Sequence, residues 1–311
     1  MGRYVLKRFL QIIPIFFVVS IVIFAIVRMS PTDPITVILG GKKATEAAIA
    51  AVKVKFHFDQ PVVVQYLLWM KGIFTGDFGI SYKYQQAVSG MIFGRLPVTM
   101  GLIAISSVIG IVIAIPAGIL CAVRKNTAAD RVISVVTIIL VSCPVFLTCM
   151  LMILVMSKIS GAVFTGTYTN VREYFQRLAI PSVALSFSMI ALIGRVSRTS
   201  MIKELKSNYI ETAEAKGLPG RRILFHHAFK NAVIPVITVA SIQIGAMIVG
   251  SVLVENVFSL PGLGSLLING INTSDYPIVQ GITLLLVGVF LLINLLVDIL
   301  YAAIDPRIRY E

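Results

Sequence analysis

Six long apolar runs, bounded by charged residues, dominate the sequence. They cover residues 9–27, 98–123, 132–157, 178–194, 232–254 and 278–304. Each run is close to or above the ~20 residues that a helix needs to cross a bilayer, and 178–194 is the shortest. A spanning segment must satisfy its backbone polar groups internally, and helices do so within one segment. We therefore predict an all-α, polytopic membrane helical bundle of about six transmembrane helices.

The distribution of Lys and Arg predicts the orientation of these helices. With the N-terminus inside, the cytoplasmic segments carry sixteen basic residues, whereas the outer segments 158–177 and 255–277 carry three. Basic residues are retained on the cytoplasmic side, whereas long loops cross largely regardless of charge. We therefore expect both termini and the segment 207–235 to be cytoplasmic.

The sequence also predicts a division of the chain. Residues 1–28 form a cytoplasmic N-terminus with the first transmembrane helix, and residues 98–311 form a core of five further helices. Between them, residues 29–97 are long enough for an extracytoplasmic element, with helical patterns at 44–55 and 62–71. The N-terminus resembles a signal peptide, but its apolar run is 19 residues long and lacks a small-x-small cleavage site. We interpret it as an uncleaved first span.

Composition supports a membrane protein and excludes several other classes. Hydrophobic residues make up 57% of the chain and charged residues only 13%, which is too apolar for a water-soluble domain. The net charge of +13 comes from residues clustered beside apolar runs, without interleaved aromatics, so we expect no nucleic-acid partner. The three cysteines lie in or at the ends of predicted spans, and we expect no disulfide.

The longest charged, helix-forming segment is 207–235, between two apolar runs. Asn208 is expected to cap a first helix, with Glu211 reaching back as in a capping box. Gly217 is expected to end that helix in the left-handed conformation, and Pro219 to begin a second, basic helix over 221–231. The sequence thus predicts two short helices that meet at a sharp corner.

This segment resembles a known loop. Glu211-Thr-Ala213, followed after three residues by Gly217, is similar to the EAA loop of permease subunits of ATP-binding-cassette (ABC) importers, with Thr212 where alanine is usual. The stretch 227–235 resembles the form of that loop in dipeptide, oligopeptide and nickel permeases. Further matching motifs stand at 76–81, 95–99, 258–264, 275–277 and 298–307. The long loop after the first span resembles the B-type subunit of that group.

The resemblance implies a mechanism and a set of partners. These are a second, non-identical permease subunit, two cytoplasmic ATPases that carry ATP and Mg, and an extracytoplasmic solute-binding protein, in the inner or plasma membrane of a prokaryote. This chain would hold no cofactor of its own. Peptides are the expected cargo, with nickel or another metal chelate as the alternative. The residues implied in ATPase coupling are Tyr209, Ile210, Glu211, Ala213, Glu214, Gly217 and Leu218.

Other residues invite chemical interpretations. No Gly-x-x-x-x-Gly-Lys-Ser/Thr phosphate loop occurs, so ATP is expected to bind elsewhere. His226 and His227 are adjacent and lack metal-binding spacing, so packing is favoured over metal ligation. Ser142-Cys143-Pro144 is expected to be a kink. Polar residues inside spans are equally compatible with a lined pathway and with interhelical hydrogen bonds. The pathway candidates are Ser142, Ser186, Ser188, Gln243 and Asn294.

Two other function classes are disfavoured. A stand-alone secondary transporter would show an inverted repeat and buried carboxylates for ion coupling, and neither stands out. An intramembrane enzyme would need a Ser/His pair, paired carboxylates or a His-Glu-x-x-His motif within spans, and these are also missing.

Overall fold

A computed structural model of the protein describes residues 2–40, 45–159, 166 and 168–304, with side chains from residue 5 to residue 299 within these ranges. The described residues form helices and one isolated β-bridge, between Ile80 and Ala87. The helices are α1 Gly2–Arg28, α2 Pro34–Ile38, α3 Glu46–Lys55, α4 Val62–Thr75, α5 Val88–Val123, α6 Ala128–Ser142, α7 Val145–Ile159, α8 Val171–Leu205, α9 Asn208–Ala215, α10 Gly220–Arg222, α11 Phe229–Val257, α12 Leu263–Asn272 and α13 Tyr276–Ile304. A π-helical segment, Ile223–Ala228, joins α10 to α11. The all-α prediction is confirmed. Residue 44, the predicted start of α3, and the C-terminal residues 305–311 lie outside the described residues.

Five described helices are long and apolar enough to cross a membrane. These candidate spans are Val5–Arg28, Val88–Val123, Val171–Leu205, Gly220–Val257 and Tyr276–Ile299. A sixth is possible if α6 and α7 together form one broken span. The fourth predicted span, 178–194, was too short, because α8 continues into polar residues at both ends and begins at the cap Asn170, whose side chain accepts a hydrogen bond from the Glu173 N–H.

The third predicted span, 132–157, is not one continuous helix. α6 and α7 meet at an angle of 106°. Cys143 has extended backbone angles (φ −84°, ψ 120°) because the ring of Pro144 disfavours the helical conformation in the residue before it. The expected kink is therefore a sharp corner.

The chain divides into two compact units. The first comprises Met1–Val5, Met100–Leu260 and Leu292–Glu311, and the second comprises Leu6–Thr99 and Pro261–Leu291. The division into 1–28, 29–97 and 98–311 follows membrane topology instead, and it stays a prediction.

In the first unit, small residues let helices approach closely. A Cβ on Gly118 of α5 would lie 2.5 Å from Ser197 Cβ and 2.7 Å from the Gly194 carbonyl oxygen of α8. A Cβ on Gly250 of α11 would lie 2.8 Å from Leu185 of α8. Small residues at such contacts are typical of helix packing in membranes, where close backbone approach replaces the hydrophobic driving force. α8 is therefore the central helix of this unit.

In the second unit, α4 packs along α1. Ser20 and Tyr66 share a hydrogen bond of 2.8 Å, and Phe24 contacts both Tyr66 and Trp69. Further along α1, Phe17 lies 6.3 Å from the Phe74 ring. The loop element predicted after the first span thus includes an apolar helix that lies beside that span.

Candidate functional site

The segment between α8 and α11 contains most of the predicted site residues. α9 begins after Ser207, one residue earlier than expected. Ser207 makes no side-chain cap: its hydroxyl donates to the Glu204 carbonyl oxygen (2.6 Å). The predicted capping box of Asn208 and Glu211 was therefore wrong, because α9 follows α8 after only two residues and the preceding turn engages the hydroxyl.

The end of α9 agrees with the sequence prediction. Gly217 has φ +74°, the left-handed conformation that glycine adopts at little cost. A Cβ built on it would meet no heavy atom of the described residues within 4 Å. The glycine is therefore required by its backbone conformation, and the chain itself leaves space around it.

The predicted second helix, 221–231, is not a separate element. Gly220–Arg222 continues through the π-helical segment Ile223–Ala228 directly into α11. Pro235, the last residue of the segment 207–235, lies inside α11. The π-helical segment absorbs the change of register between the short turn and the long helix, and such segments recur at functional sites.

One face of α9 is buried against the same chain. Ile210 is 1% exposed and Ala213 is 7% exposed. They belong to the α9 cluster, a set of buried residues from α5, α8, α9, the π-helical segment and α11. Its members are Ala122, Met201, Ile210, Ala213, Ile223, Ala228 and Ala232, and Leu218 packs against it. Ile210, Ala213 and Leu218 were expected to face an ATPase; here they hold α9 on its own subunit.

The other face of α9 is exposed. Glu211 and Glu214 lie on it, and Gly217 is exposed at its end. Tyr209, 38% exposed, donates a hydrogen bond to Glu204 Oε2 (2.6 Å) and accepts one from Asn231 Nδ2 (3.1 Å). Burial, together with the hydrogen bond to Glu204, raises the pKa of the Tyr209 phenol. Tyr209 therefore ties α9 to the end of α8 and the start of α11.

The histidines beside this face pack on each other. The His226 and His227 rings lie 5.6 Å apart in an edge-to-face arrangement. Within the described residues, no group of three His, Cys, Asp or Glu side chains is placed to hold a metal ion.

The pathway candidates do not form one cluster. Gln243 of α11 donates to the Ser188 hydroxyl of α8 (3.1 Å). Ser186 is buried and donates to the Val183 carbonyl oxygen of its own helix (2.8 Å). Ser142 is exposed at the corner between α6 and α7, and Asn294 is half-buried on α13. Gln243 and Ser188 thus join two helices, whereas Ser186 is satisfied locally.

Two family models match the chain. Residues 114–310 match the binding-protein-dependent transport system inner membrane component, and residues 1–103 match the N-terminal membrane component of such systems. The chain belongs to this family of transport system inner membrane components. It is therefore a permease subunit of an ABC importer, as the motif resemblance implied, and a multi-pass inner membrane protein.

Individual relatives agree with this assignment. The permease subunit is 37% identical to a probable peptide ABC transporter permease of Sinorhizobium fredii, over 100% of both chains. It is also 37% identical to the glutathione transport system permease protein GsiC of Escherichia coli K12, over 100% of both chains. A chain in a solved structure of the MetNI methionine ABC transporter shares the fold, with a TM-score of 0.56 and 21% identity. The match covers 69% of this chain and 96% of that chain.

Two motifs that are distant in the sequence, 76–81 and 275–277, are in contact in the structure. In the second unit, the fully buried Asp275 carboxylate accepts hydrogen bonds from the Ser81 hydroxyl (2.5 Å), the Tyr82 N–H (3.1 Å) and the Lys83 N–H (3.1 Å). Ser81 ends one motif of the permease group and Asp275 begins another. We name this contact the 81–275 clasp.

A second pair of motifs meets in the same unit. Thr99 Oγ1, buried in α5, accepts a hydrogen bond from the Leu263 N–H at the start of α12 (2.8 Å). Both contacts give a structural role to polar residues of these motifs. The only signal in the sequence was that an Asp, a Ser and a Thr each stand beside a predicted turn or helix end.

An ion pair in the first unit was also missed. Asp130 of α6 is 3% exposed and pairs with Arg198 of α8 through two bonds, Nε to Oδ1 at 2.7 Å and the terminal nitrogen to Oδ2 at 2.8 Å. Asp130 Oδ2 also accepts the Asn126 N–H (2.9 Å). The pair joins the start of α6 to α8 one turn before Met201 of the α9 cluster. Residues so far apart in sequence give no local signal of their pairing.

Proposed function

We propose that this permease subunit pairs with a second, non-identical one to form a peptide pathway across the inner membrane. The cargo follows from its relatives, one named a probable peptide permease and one a glutathione permease, each aligned over the full length. A binding protein outside the membrane delivers the peptide. Two cytoplasmic ATPases hold ATP and Mg and drive transport, so this subunit itself performs no catalysis. Both termini and α9 lie in the cytoplasm.

The observation that carries the coupling role is the two-sided construction of α9. Its apolar side is fixed in the α9 cluster, while Tyr209, Glu211, Glu214 and Gly217 are exposed. A short helix held by its own subunit and presenting two carboxylates fits a groove with a basic rim. We therefore assign contact with an ATPase to the exposed residues, and a positioning role to Ile210, Ala213 and Leu218.

Gly217 provides the sharpest test, because the chain itself leaves its surroundings empty. A side chain there adds backbone strain of about 1–2 kcal/mol but no clash within the subunit. Gly40, between α2 and α3, is a matched control: it has φ +71°, and a Cβ built on it meets no atom of the described residues within 4 Å. Any difference between the two substitutions then reflects a partner at Gly217.

The experiment uses the assembled transporter in proteoliposomes with its binding protein and peptide. We expect Gly217→Arg to abolish peptide-stimulated ATP hydrolysis and uptake, and Glu211→Lys to reduce both, while Gly40→Arg retains both. The permease subunit should insert and assemble in every variant, as checked by co-purification of the second permease subunit. Full stimulated hydrolysis in Gly217→Arg would show that this surface does not contact an ATPase.

A further inference from the structure

A cavity of about 380 Å³ lies in the second unit between α1, the end of α3 and α4. We name it the α1–α4 cavity. Its wall combines aromatic rings from four separate stretches of chain with two basic side chains. The rings are Phe24, Phe56, Phe58, Trp69, Phe78 and Tyr82. The volume is within the range of sites for small ligands or headgroups, which are typically apolar with a few polar groups.

The two basic residues of the wall are Arg28 and Lys55. The guanidinium of Arg28 lies 5.3 Å from the Phe24 ring centre and 5.5 Å from the Phe58 ring centre, and Lys55 lies over Phe56. Neither forms an ion pair or a hydrogen bond with any described residue. Cation–π contacts orient the Arg28 guanidinium but leave its N–H donors unused. The wall therefore carries two exposed basic side chains and one carboxylate, Asp77.

Buried polar groups in the same wall also lack partners. Gln280 is 8% exposed and lines the cavity. Among the residues that the structure describes, Gln65 Oε1 and Trp69 Nε1 are buried and have no hydrogen-bond partner. Each such unsatisfied group costs about 1–3 kcal/mol. Asp77, the carboxylate in the wall, accepts the Gly79 N–H (2.9 Å).

The location of the cavity identifies the kind of occupant. Arg28 is the last residue of the candidate span Val5–Arg28, so the cavity lies where a span ends. Beside it, α1 and α4 expose apolar side chains, including Ile21, Leu67 and Leu68. An anionic group at the end of a span, next to apolar surface suited to acyl chains, is the chemistry of a phospholipid. Aromatic rings and basic side chains are also the residues that favour the headgroup level.

We propose that the α1–α4 cavity binds a phospholipid headgroup, with the phosphate between Arg28 and Lys55 and an acyl chain along α1 and α4. The site would hold α4 against the first span. This inference requires a membrane permease but does not depend on how α9 couples to ATPases. Loss of the site would therefore leave the coupling proposal standing.

Trp69 supplies a direct probe, because it is the only tryptophan of this chain and it lines the cavity. The assembled transporter in detergent is titrated with phosphatidylglycerol carrying brominated acyl chains, and with diacylglycerol carrying the same chains without phosphate. The fluorescence of a Trp69→Phe transporter is subtracted, which removes the tryptophans of the other subunits. We expect phosphatidylglycerol to reach half-maximal quenching at a concentration about tenfold lower than diacylglycerol needs. One charge-assisted hydrogen bond to the phosphate gives a difference of this size.

Arg28→Gln and Lys55→Gln should each weaken the phosphatidylglycerol quenching about tenfold, for the same reason. Lys53→Gln is the matched control, an exposed lysine of α3 outside the cavity wall, and should change nothing. Equal quenching by the two lipids would overturn recognition of phosphate. Displacement of the bound phosphatidylglycerol by millimolar trialanine would overturn the lipid assignment in favour of a peptide carboxylate. Unchanged titrations in both Gln variants would also overturn the proposal.

Discussion

Replacement of Asp275 by asparagine tests whether the 81–275 clasp holds the loop before α5 in place. The two side chains have the same shape, but asparagine has one acceptor oxygen and a donor NH₂ group. In the native clasp, Oδ2 accepts from Ser81 and Lys83, and Oδ1 accepts from Tyr82. If the asparagine oxygen takes the Oδ2 position, its NH₂ group faces the Tyr82 N–H, and two donors oppose each other.

The expected cost follows from this geometry. Asp275 is fully buried, so no water can replace the lost acceptor. The lost backbone hydrogen bond to a charged acceptor is worth about 1.5–3 kcal/mol, and each of the other two bonds loses about 1 kcal/mol when its acceptor becomes neutral. The total cost is therefore about 3–5 kcal/mol. Asp275→Ala removes all three bonds and is expected to cost more.

The assay combines thermal unfolding of the purified transporter with trypsin digestion. Lys83 is an exposed cleavage site whose backbone N–H is held by Asp275, so release of the clasp should speed cleavage after Lys83 at temperatures well below unfolding. Asp59→Asn is the control: Asp59 is exposed and bonded only to the neighbouring Gln60 side chain. If Asp275→Asn unfolds and is cleaved like Asp59→Asn, the clasp contributes nothing and the reasoning is refuted.

Two further predictions concern contacts between helices of the permease subunit. Gly118→Ala should destabilise the folded subunit by about 1–3 kcal/mol, because the new Cβ would collide with α8. In the control Gly288→Ala, inside α13, the new Cβ meets no described atom within 4 Å, so stability should be unchanged or should rise by up to about 1 kcal/mol. Equal unfolding temperatures of the two variants would contradict this prediction. Arg198→Lys should cost about 1–2 kcal/mol, because an ammonium group cannot form both bonds to Asp130. In a double-mutant cycle, the stability lost through Arg198→Lys should vanish when Asp130 is already replaced by asparagine. An undiminished loss would show that the cost of Arg198→Lys does not come from its pair with Asp130.

Much of the fold could be predicted because the bilayer imposes a simple rule on sequence. Runs of apolar residues long enough to cross the bilayer gave the long helices. The orientation taken from the charge of the connecting segments stays a prediction. The boundaries were less predictable. α8 extends beyond its apolar run because the membrane limits only the hydrophobic stretch, while a helix continues into water wherever its residues allow.

The local prediction at α9 succeeded where one residue decides the backbone and failed where neighbours compete. Gly217 adopts the left-handed conformation, since few other residues can do so without strain. Ser207, by contrast, turns its hydroxyl to the preceding turn of α8 and leaves α9 without a side-chain cap. A capping pattern in sequence cannot show that a hydroxyl near the helix start bonds instead to a carbonyl oxygen of the preceding helix.

The assignment of Ile210 and Ala213 illustrates a limit of pattern analysis. Their spacing correctly predicted an apolar face on α9, but spacing says nothing about which molecule covers that face. The cluster that buries them combines α5, α8 and α11 with the π-helical segment, and such combinations follow only from tertiary structure. For the same reason, the partners of Asp275 and of Asp130 could not be found from sequence.

The composition of the α9 cluster has a consequence for the proposed coupling. Ala122 lies near the end of α5, Met201 near the end of α8 and Ala232 near the start of α11. A close-packed interior resists voids, so α9 cannot shift alone without separating it from these three helix ends. A displacement imposed on Glu211 by an ATPase would then move the three ends together with α9.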